Sequence, residues 1–465
     1  MRPEPRPALM ADRHERAVPE ALTPDQVPPT GSIRAGGTGI RRRTGWVRYG
    51  VLTFLSVGIA INYIDRTALS VAMPEIAKDF GLDSAATGVI LSSFFWAYVV
   101  FMLPGGYLVD KIGPKFMLGL GSVIWGLSTI ALGFTRGFMS LFIVRLVMGA
   151  SEAPSYPGAS RTVRDWFPKS ERSFASGTFN VGSKVGATLA IPFVSILIGS
   201  IGWRGAFMVA GVLALLWGLG WWVAYRSPQH SKMLSDRELE HIEAGQEPET
   251  ASDMKITGLL SQRTIQAMSV GFFCVNFVSY FFFTWFPTYM INTFHLSILS
   301  FGFIGTLPGI AAIIGGFVGG WVSDGMYRRG YSVTTARKVP LVVGMLGSTA
   351  IAFAAFSPSV WTAVTLLCVS NFAATGAASA LWALPTDVAP SRAHVGTIGG
   401  IQNTVSNTAG IIGPIVIGFI MGFSGSFVIP LIVAGVVSLA GALTYAFWLP
   451  KIKPLEPRKP RSALV

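Results

Sequence analysis

Residues 51–73 read VLTFLSVGIAINYIDRTALSVAM, twenty-three residues in which only Asp65 and Arg66 carry a charge. As a helix rising about 1.5 Å per residue, such a run is long enough to cross roughly 30 Å of hydrocarbon. Each ion stranded at that depth costs roughly 2.5 to 3.5 kcal/mol on insertion scales unless it lines a wet cavity or finds a partner. The pattern recurs downstream, where Arg145 and Glu152 stand in one apolar segment and Lys184 in another. A chain that keeps three cations and two acids in its apolar segments is expected to handle ions.

The whole composition agrees with membrane spans: 51% of residues are hydrophobic and 13% charged, with a mean hydropathy of +0.54. From residue 48 onward about twelve runs of roughly 20 residues can span a bilayer. The expected fold class is therefore an all-α membrane protein with twelve transmembrane helices. An even number of spans returns the chain to its starting side.

A formal net charge of +13 could suggest nucleic acid, so the positions of the 36 Lys and Arg residues decide. Thirty fall in the segment before the first span and in the alternate loops and tail that share its side. The opposite loops hold only Lys78, Arg136 and Arg204, and the last three cations are Arg66, Arg145 and Lys184 within spans. The positive-inside rule then puts both termini in the cytoplasm. Topology explains the charge, and no nucleic-acid partner is expected.

Residues 1–46, rich in Pro and Arg, lack the continuous apolar stretch of a secretory signal and are expected to form a disordered cytoplasmic arm. Its charges either attract anionic headgroups or simply fix orientation. Beyond it, a first six-helix bundle is expected over 47–226, a polar cytoplasmic linker over 227–262, a second six-helix bundle over 263–450 and a cytoplasmic tail over 451–465. Within the linker, Ser235 to Glu238 forms a helix start signal. Cys274 and Cys368, far apart in sequence, suggest neither a disulfide nor a metal motif.

The two bundles carry matching segments. GGYLVDKIGPK at 105–115 parallels GGWVSDGMYRR at 319–329, and PKSERSFASGTFN at 168–180 parallels PSRAHVGTIGGIQN at 390–403. Two related halves holding substrate near the midplane is a transporter plan. Pairs such as Gly182 and Gly186, or Gly315 and Gly319, let membrane helices approach and slide, although static tight packing explains any one pair equally well.

Three strings carry a family resemblance: NYIDR at 62–66, Arg145-x6-Glu152, and the G-x-L-x-D-x-x-G-x-K motif from Gly106 to Lys115, joined by WFP at 285–287. Over residues 46 to 450 the chain resembles the major facilitator superfamily. Within it the chain is similar to anion:cation symporters that import D-galactonate, glucarate or hexuronates with protons across the bacterial inner membrane. The resemblance implies a small organic anion and protons as partners, the lipid bilayer as environment, a monomer, and no cofactor or metal. It matches Asp65 and Glu152 to the protonatable pair and Arg66 to the anion-binding arginine. Tyr63, Tyr98, Trp382 and Asn403 fall at positions that line the sugar-acid cavity. One position departs: where the D-galactonate type has a neutral polar side chain in the fifth span, this chain has Lys184.

The residues also speak without the family. Arg145 and Glu152, about two helical turns apart, share one helix face, with Gly149 between them leaving space. Asp65 and Arg66 diverge by about 100° and can find separate partners. These charges either bind and move ions or form static interhelical pairs, and buried pairs are weak evidence for stability. Three cations against two acids leave a spare positive charge that a bound anion could neutralise. Lys184 either meets substrate or snorkels toward an interface.

Asp110 and Asp324, in the repeated loop motif, are expected either to latch one access state as gating residues or to sit in solvated turns. The aromatic run Tyr280 to Phe283 with Trp285, Phe286 and Tyr289 could close over a ligand, but most of it is expected to pack or face lipid. No histidine falls mid-span, so carboxylates must carry the proton.

Competing classes have weaker signatures. An organic anion exchanger would place basic residues in both the first and seventh spans, yet residues 264–291 contain no Lys or Arg. An aromatic dicarboxylate of the phthalate kind would use Lys184 well. A channel needs a carbonyl filter or a ring of like charges, and a membrane enzyme needs a nucleophile, base or metal cluster. Neither pattern is found.

Overall fold

The computed structural model describes residues 45–244 and 256–455. Nearly all of the expected N-terminal arm, the middle of the linker and most of the tail lie outside the described residues. Every regular element among the described residues is a helix.

Twelve spans follow from where proline and glycine interrupt these helices. The first three are Val47–Phe80, Ser84–Ile112 and Pro114–Leu132. The fourth is broken into Phe138–Glu152 and Ser155–Trp166, because Pro154 and Pro157 lack the N–H groups that would bond one turn back. The single helix Arg172–Ala224 is the fifth and sixth spans, meeting at Gly202 with φ 72° and ψ 168°, a left-handed conformation that glycine adopts at little cost. The seventh, Arg263–Thr284 followed by Phe286–Phe294, breaks at Trp285 just before Pro287. The last five are Ile298–Arg328, Val333–Ala354, Val360–Val388, His394–Ser424 and Val428–Trp448. Ten helices qualify as spans by length and apolarity alone. Twelve are reached by parting Arg172–Ala224 at its glycine and adding the broken, more polar fourth.

The start signal in the linker opens the helix Asp236–Ala244, where Ser235 Oγ accepts from the Glu238 N–H at 3.3 Å. Glu238 in turn accepts from the backbone N–H of Arg48 at 3.3 Å, and Ile242 is buried in the cluster of Trp166, Phe167 and Tyr225. The linker helix therefore lies on the face where the first span begins, called here the linker face.

Glycine marks where backbones touch. A Cβ on Gly186 would stand 2.4 Å from the Ala60 carbonyl oxygen, and one on Gly319 would stand 2.2 Å from that of Gly376. These seams join the fifth span to the first and the eighth to the tenth, inside each half. Both glycine pairs therefore sit at close helix contacts inside a half.

Contacts between the halves use other residues. Gly88 and Gly418 pack the second span on the eleventh, and Gly302 abuts Ser195 to pack the eighth on the fifth. Exchanging the halves converts one seam into the other, which is the pseudo-twofold relation foreshadowed by the repeated segments. Both seams lie on the side away from the linker face, leaving the halves apart toward it.

Candidate functional site

Where the halves part, a cavity of about 580 Å³ extends from mid-membrane toward the linker face. Its mouth is walled by Ser173, Gly177 and Asn180 of the fifth span and by Phe317, Ser379 and Trp382 of the second half. Of the expected substrate residues, Tyr63, Arg66, Tyr98, Arg145, Lys184, Trp382 and Asn403 all line it. Its described lining contains these three cations and no carboxylate.

Asp65 and Arg66 diverge as adjacent helical residues must. Arg66 turns toward the fourth span, where its Nε donates to Glu152 Oε2 at 2.8 Å. Glu152 is fully buried. The Arg66 guanidinium lies over Phe94 at 4.6 Å, Tyr98 at 4.7 Å and Tyr63 at 5.1 Å, a cage of π-faces that supports a cation where water is scarce. Its Nη2 is buried without a partner. Asp65 instead points at the third span and accepts from Trp125 Nε1. It is fully buried and is not part of the cavity wall.

Arg145 has no carboxylate within ion-pair distance among the described residues; its Nη1 contacts Met148 Sδ at 3.4 Å, and its guanidinium lies 5.0 Å from the Phe94 ring. Gly149 does leave space between Arg145 and Glu152, but span 2 fills it: a Cβ there would stand 2.1 Å from the Phe94 carbonyl oxygen. This close approach brings Phe94 and Tyr98 against Arg66. Lys184 is exposed in the wall, with no ion pair described, where the main cavity meets a side pocket of about 50 Å³.

The second half supplies amides and hydroxyls. Asn407 Nδ2 donates to Asn403 Oδ1 at 3.0 Å, and Tyr280 Oη donates to Asn407 Oδ1 at 2.6 Å. Trp382 meets Phe272 edge-on and is half-exposed to the cavity mouth.

Sequence reasoning missed Tyr156, Asn180 and Asn407 and undervalued Tyr280 and Phe283, all of which line the cavity. Tyr156 Oη lies 3.1 Å from Tyr63 Oη. Asn180 was within reach, because the repeated segments align it with Asn403. Of the aromatic run, Phe281, Trp285, Phe286 and Tyr289 are buried in packing, as expected for most of it.

Asp110 and Asp324 lie outside the cavity on the linker face. Asp110 Oδ1 accepts from Arg161 and Arg164, each at 3.1 Å. Asp324 accepts from Arg337 at 3.0 Å, and Arg337 also bridges to Asp387 at 2.9 Å. These bonds tie the second span to the fourth and the eighth to the ninth and tenth. Among the described residues no three His, Cys, Asp or Glu side chains converge to hold a metal ion.

The profile of the Major Facilitator Superfamily matches residues 55–390 and 330–464. A probable galactarate/D-glucarate transporter of Bacillus subtilis is 35% identical over 88% of this chain and 93% of its own length. A D-galactonate transporter of Escherichia coli is 33% identical, covering 87% and 96%, and a hexuronate transporter of Bacillus subtilis is 33% identical, covering 88% and 94%. Among solved structures, a bacterial homologue of the human lysosomal transporter Spinster, in an inward-facing and occupied conformation, superposes with a TM-score of 0.72 at 20% identity, over 87% of this chain and 97% of that one.

Proposed function

The chain belongs to the major facilitator superfamily, and we propose that this transporter imports a small organic acid anion, a sugar acid of the galactonate, glucarate or hexuronate kind, by proton symport with alternating access. It is a transporter and not an enzyme. The observation that carries the reading is a cavity whose described wall holds Arg66, Arg145 and Lys184 but no carboxylate. The relatives named for sugar acids support the substrate class.

In this reading Arg66 grips the substrate carboxylate through the guanidinium edge not used by Glu152, while Tyr63, Tyr98, Trp382 and Asn403 orient the hydroxylated chain. Arg145 and Lys184 raise the positive potential of the wall. Glu152 is the coupling group: while ionised it neutralises Arg66, and once protonated it leaves that cation to the anion, so proton and anion favour each other's binding. Asp65, held by Trp125 away from the substrate, is the second proton site. Asp110 and Asp324 act as gates by fastening the linker face of each half during rocking.

The 30-to-3 distribution of cations supports a location in the bacterial inner membrane with both termini cytoplasmic. The linker face is then the cytoplasmic face and the structure is open inward. The protein works as a monomer without cofactor. Aromatic walls also suit a phthalate-like diacid, the second reading. Thermal stabilisation of purified protein across sugar acids, aliphatic diacids and aromatic acids separates the two, since a ligand selective for the native state raises its stability. A response confined to aromatic acids, or to none of the panel, refutes the sugar-acid reading.

A further inference from the structure

We propose that Asn62 is a positioning residue for the proton, holding water between Asp65 and Glu152 so that a proton passes from one buried carboxyl to the other behind the cavity wall; this rests on the proton-symport reading above and deepens it. Asn62 is 1% exposed and, like both carboxylates, lies outside the cavity lining. All three groups belong to the first half. Arg66 lines the substrate cavity, and this cluster does not.

Helix geometry sets the amide between the two acids. Asn62 precedes Asp65 by three residues and Arg66 by four, so it points between them, about 60° from Asp65 and about 40° from Arg66, one turn nearer the linker face. Arg66 Nε holds Glu152 at 2.8 Å, and Asn62 faces the same carboxylate. Helical spacing places the Asn62 and Asp65 Cβ atoms about 5 to 6 Å apart, a distance that one water can bridge.

The unused hydrogen-bonding capacity matches this placement. Trp125 occupies Asp65 Oδ2, and Arg66 occupies Glu152 Oε2. Asp65 Oδ1, Glu152 Oε1 and both polar atoms of Asn62 remain, each buried without a hydrogen bond of normal geometry. A dry amide beside dry carboxyl oxygens is destabilising, and a buried water making about three hydrogen bonds satisfies such groups. The amide itself stays neutral and supplies one acceptor and two donors that orient the water. A proton leaves protonated Asp65 Oδ1 for that water, which gives one of its own to Glu152 Oε1. Water is regenerated, Asp65 is left ionised and Glu152 neutral, and Arg66 is released to the anion. Because all the groups move with one half, the transfer is independent of rocking.

The test reconstitutes the full-length protein in proteoliposomes and follows labelled galactonate and glucarate. Asn62→Leu, similar in size but without polar atoms, should lower the maximal rate of proton-driven uptake about tenfold or more. The KM for the anion should stay within about twofold and exchange of labelled for unlabelled anion should persist, because the substrate cavity is untouched. The variant should also show a larger solvent deuterium isotope effect on uptake than wild type, which lost packing alone would not produce. Asn62→Ser, with a hydroxyl and room for water, should restore uptake to within about threefold of wild type. Normal uptake by Asn62→Leu, a parallel loss of uptake and exchange, or a serine that restores nothing overturns the inference. If Asn62→Leu fails to fold, a structure of the unmodified protein that shows ordered water decides: water linking Asn62 to both carboxyls supports the inference, and any other arrangement overturns it. Wild type that accumulates neither acid along an inward proton gradient sinks the symport reading too, whereas coupled wild type with an unaffected variant sinks only the role of Asn62.

Discussion

Glu152→Gln removes one charge and almost no volume from the centre of the molecule. The pair it breaks is close, at 2.8 Å, and its carboxylate is fully buried. At an effective dielectric of about 20, charges at that separation attract by about 6 kcal/mol before desolvation is counted. Removing one partner of a buried pair typically costs about 3 to 5 kcal/mol, because the other ion is left uncompensated. Glutamine still accepts from Arg66 Nε, so the loss should fall at or below the low end of that range. The unliganded variant should therefore melt lower than wild type.

Saturating anion should restore much of that loss, because Arg66 regains a counter-ion, so the ligand-induced rise in melting temperature should exceed that of wild type. Transport should change in a complementary way. One proton per substrate lets a gradient of one pH unit sustain about tenfold accumulation of the anion, worth about 1.4 kcal/mol. The variant, permanently in the protonated form, should lose this gradient-driven component in proteoliposomes and still exchange labelled for unlabelled substrate. Normal proton-driven accumulation by Glu152→Gln would show that this carboxyl is not the coupling group.

Arg66→Lys should weaken substrate binding about tenfold or more although charge is kept, since an ammonium supplies neither the paired N–H groups nor the planar face that sits among Phe94, Tyr98 and Tyr63; unchanged affinity by isothermal titration would remove Arg66 from the site. Gly149→Ala should lower the yield of folded protein on size-exclusion chromatography, because a Cβ 2.1 Å from the Phe94 carbonyl oxygen forces the second and fourth spans apart; a wild-type profile and melting temperature would refute this. A cysteine introduced by Glu243→Cys on the exposed side of the linker helix should label only from the cytoplasm, and strong labelling by an impermeant reagent outside intact cells would invert the topology.

Much of the fold was legible because the bilayer restricts what a chain can do: uncharged runs such as 51–64 must be helices, and lysine and arginine bias orients them. The ions were legible for the same reason, since Asp65, Arg66, Arg145, Glu152 and Lys184 stand out against apolar neighbours. Their partners were not. Helical periodicity says that Asp65 and Arg66 diverge, but that one meets Trp125 and the other Glu152 depends on how three helices are rotated about their axes. Tyr156 was hidden for a related reason: it follows the break at Pro154, where the phase of the helix changes. The neutral members of the cavity, Asn407 and Tyr280, carry no cost large enough to mark them in an apolar background.

The glycines show how packing and function divide the same residue type. Those at 182, 186, 315 and 319 meet neighbouring carbonyls inside one half, and in the proposed rocking movement a half that moves as a rigid body would keep such seams. The seams that would have to open in the proposed alternating access are different: Gly88 and Gly418 between the second and eleventh spans, and Gly302 with Ser195 between the eighth and fifth. They are exchanged by the pseudo-twofold axis, so loosening both together tilts one half against the other about the central cavity. Arg66 and Glu152 both belong to the first half, so such a movement does not by itself part them, and protonation of Glu152 is what would release Arg66. Lys184 also belongs to that half, but its side pocket is completed by Ser279, Asn371 and Thr375 from the other. In the proposed cycle an anion bound at Lys184 would touch both halves at once, so its charge would bear directly on which arrangement of the halves is favoured.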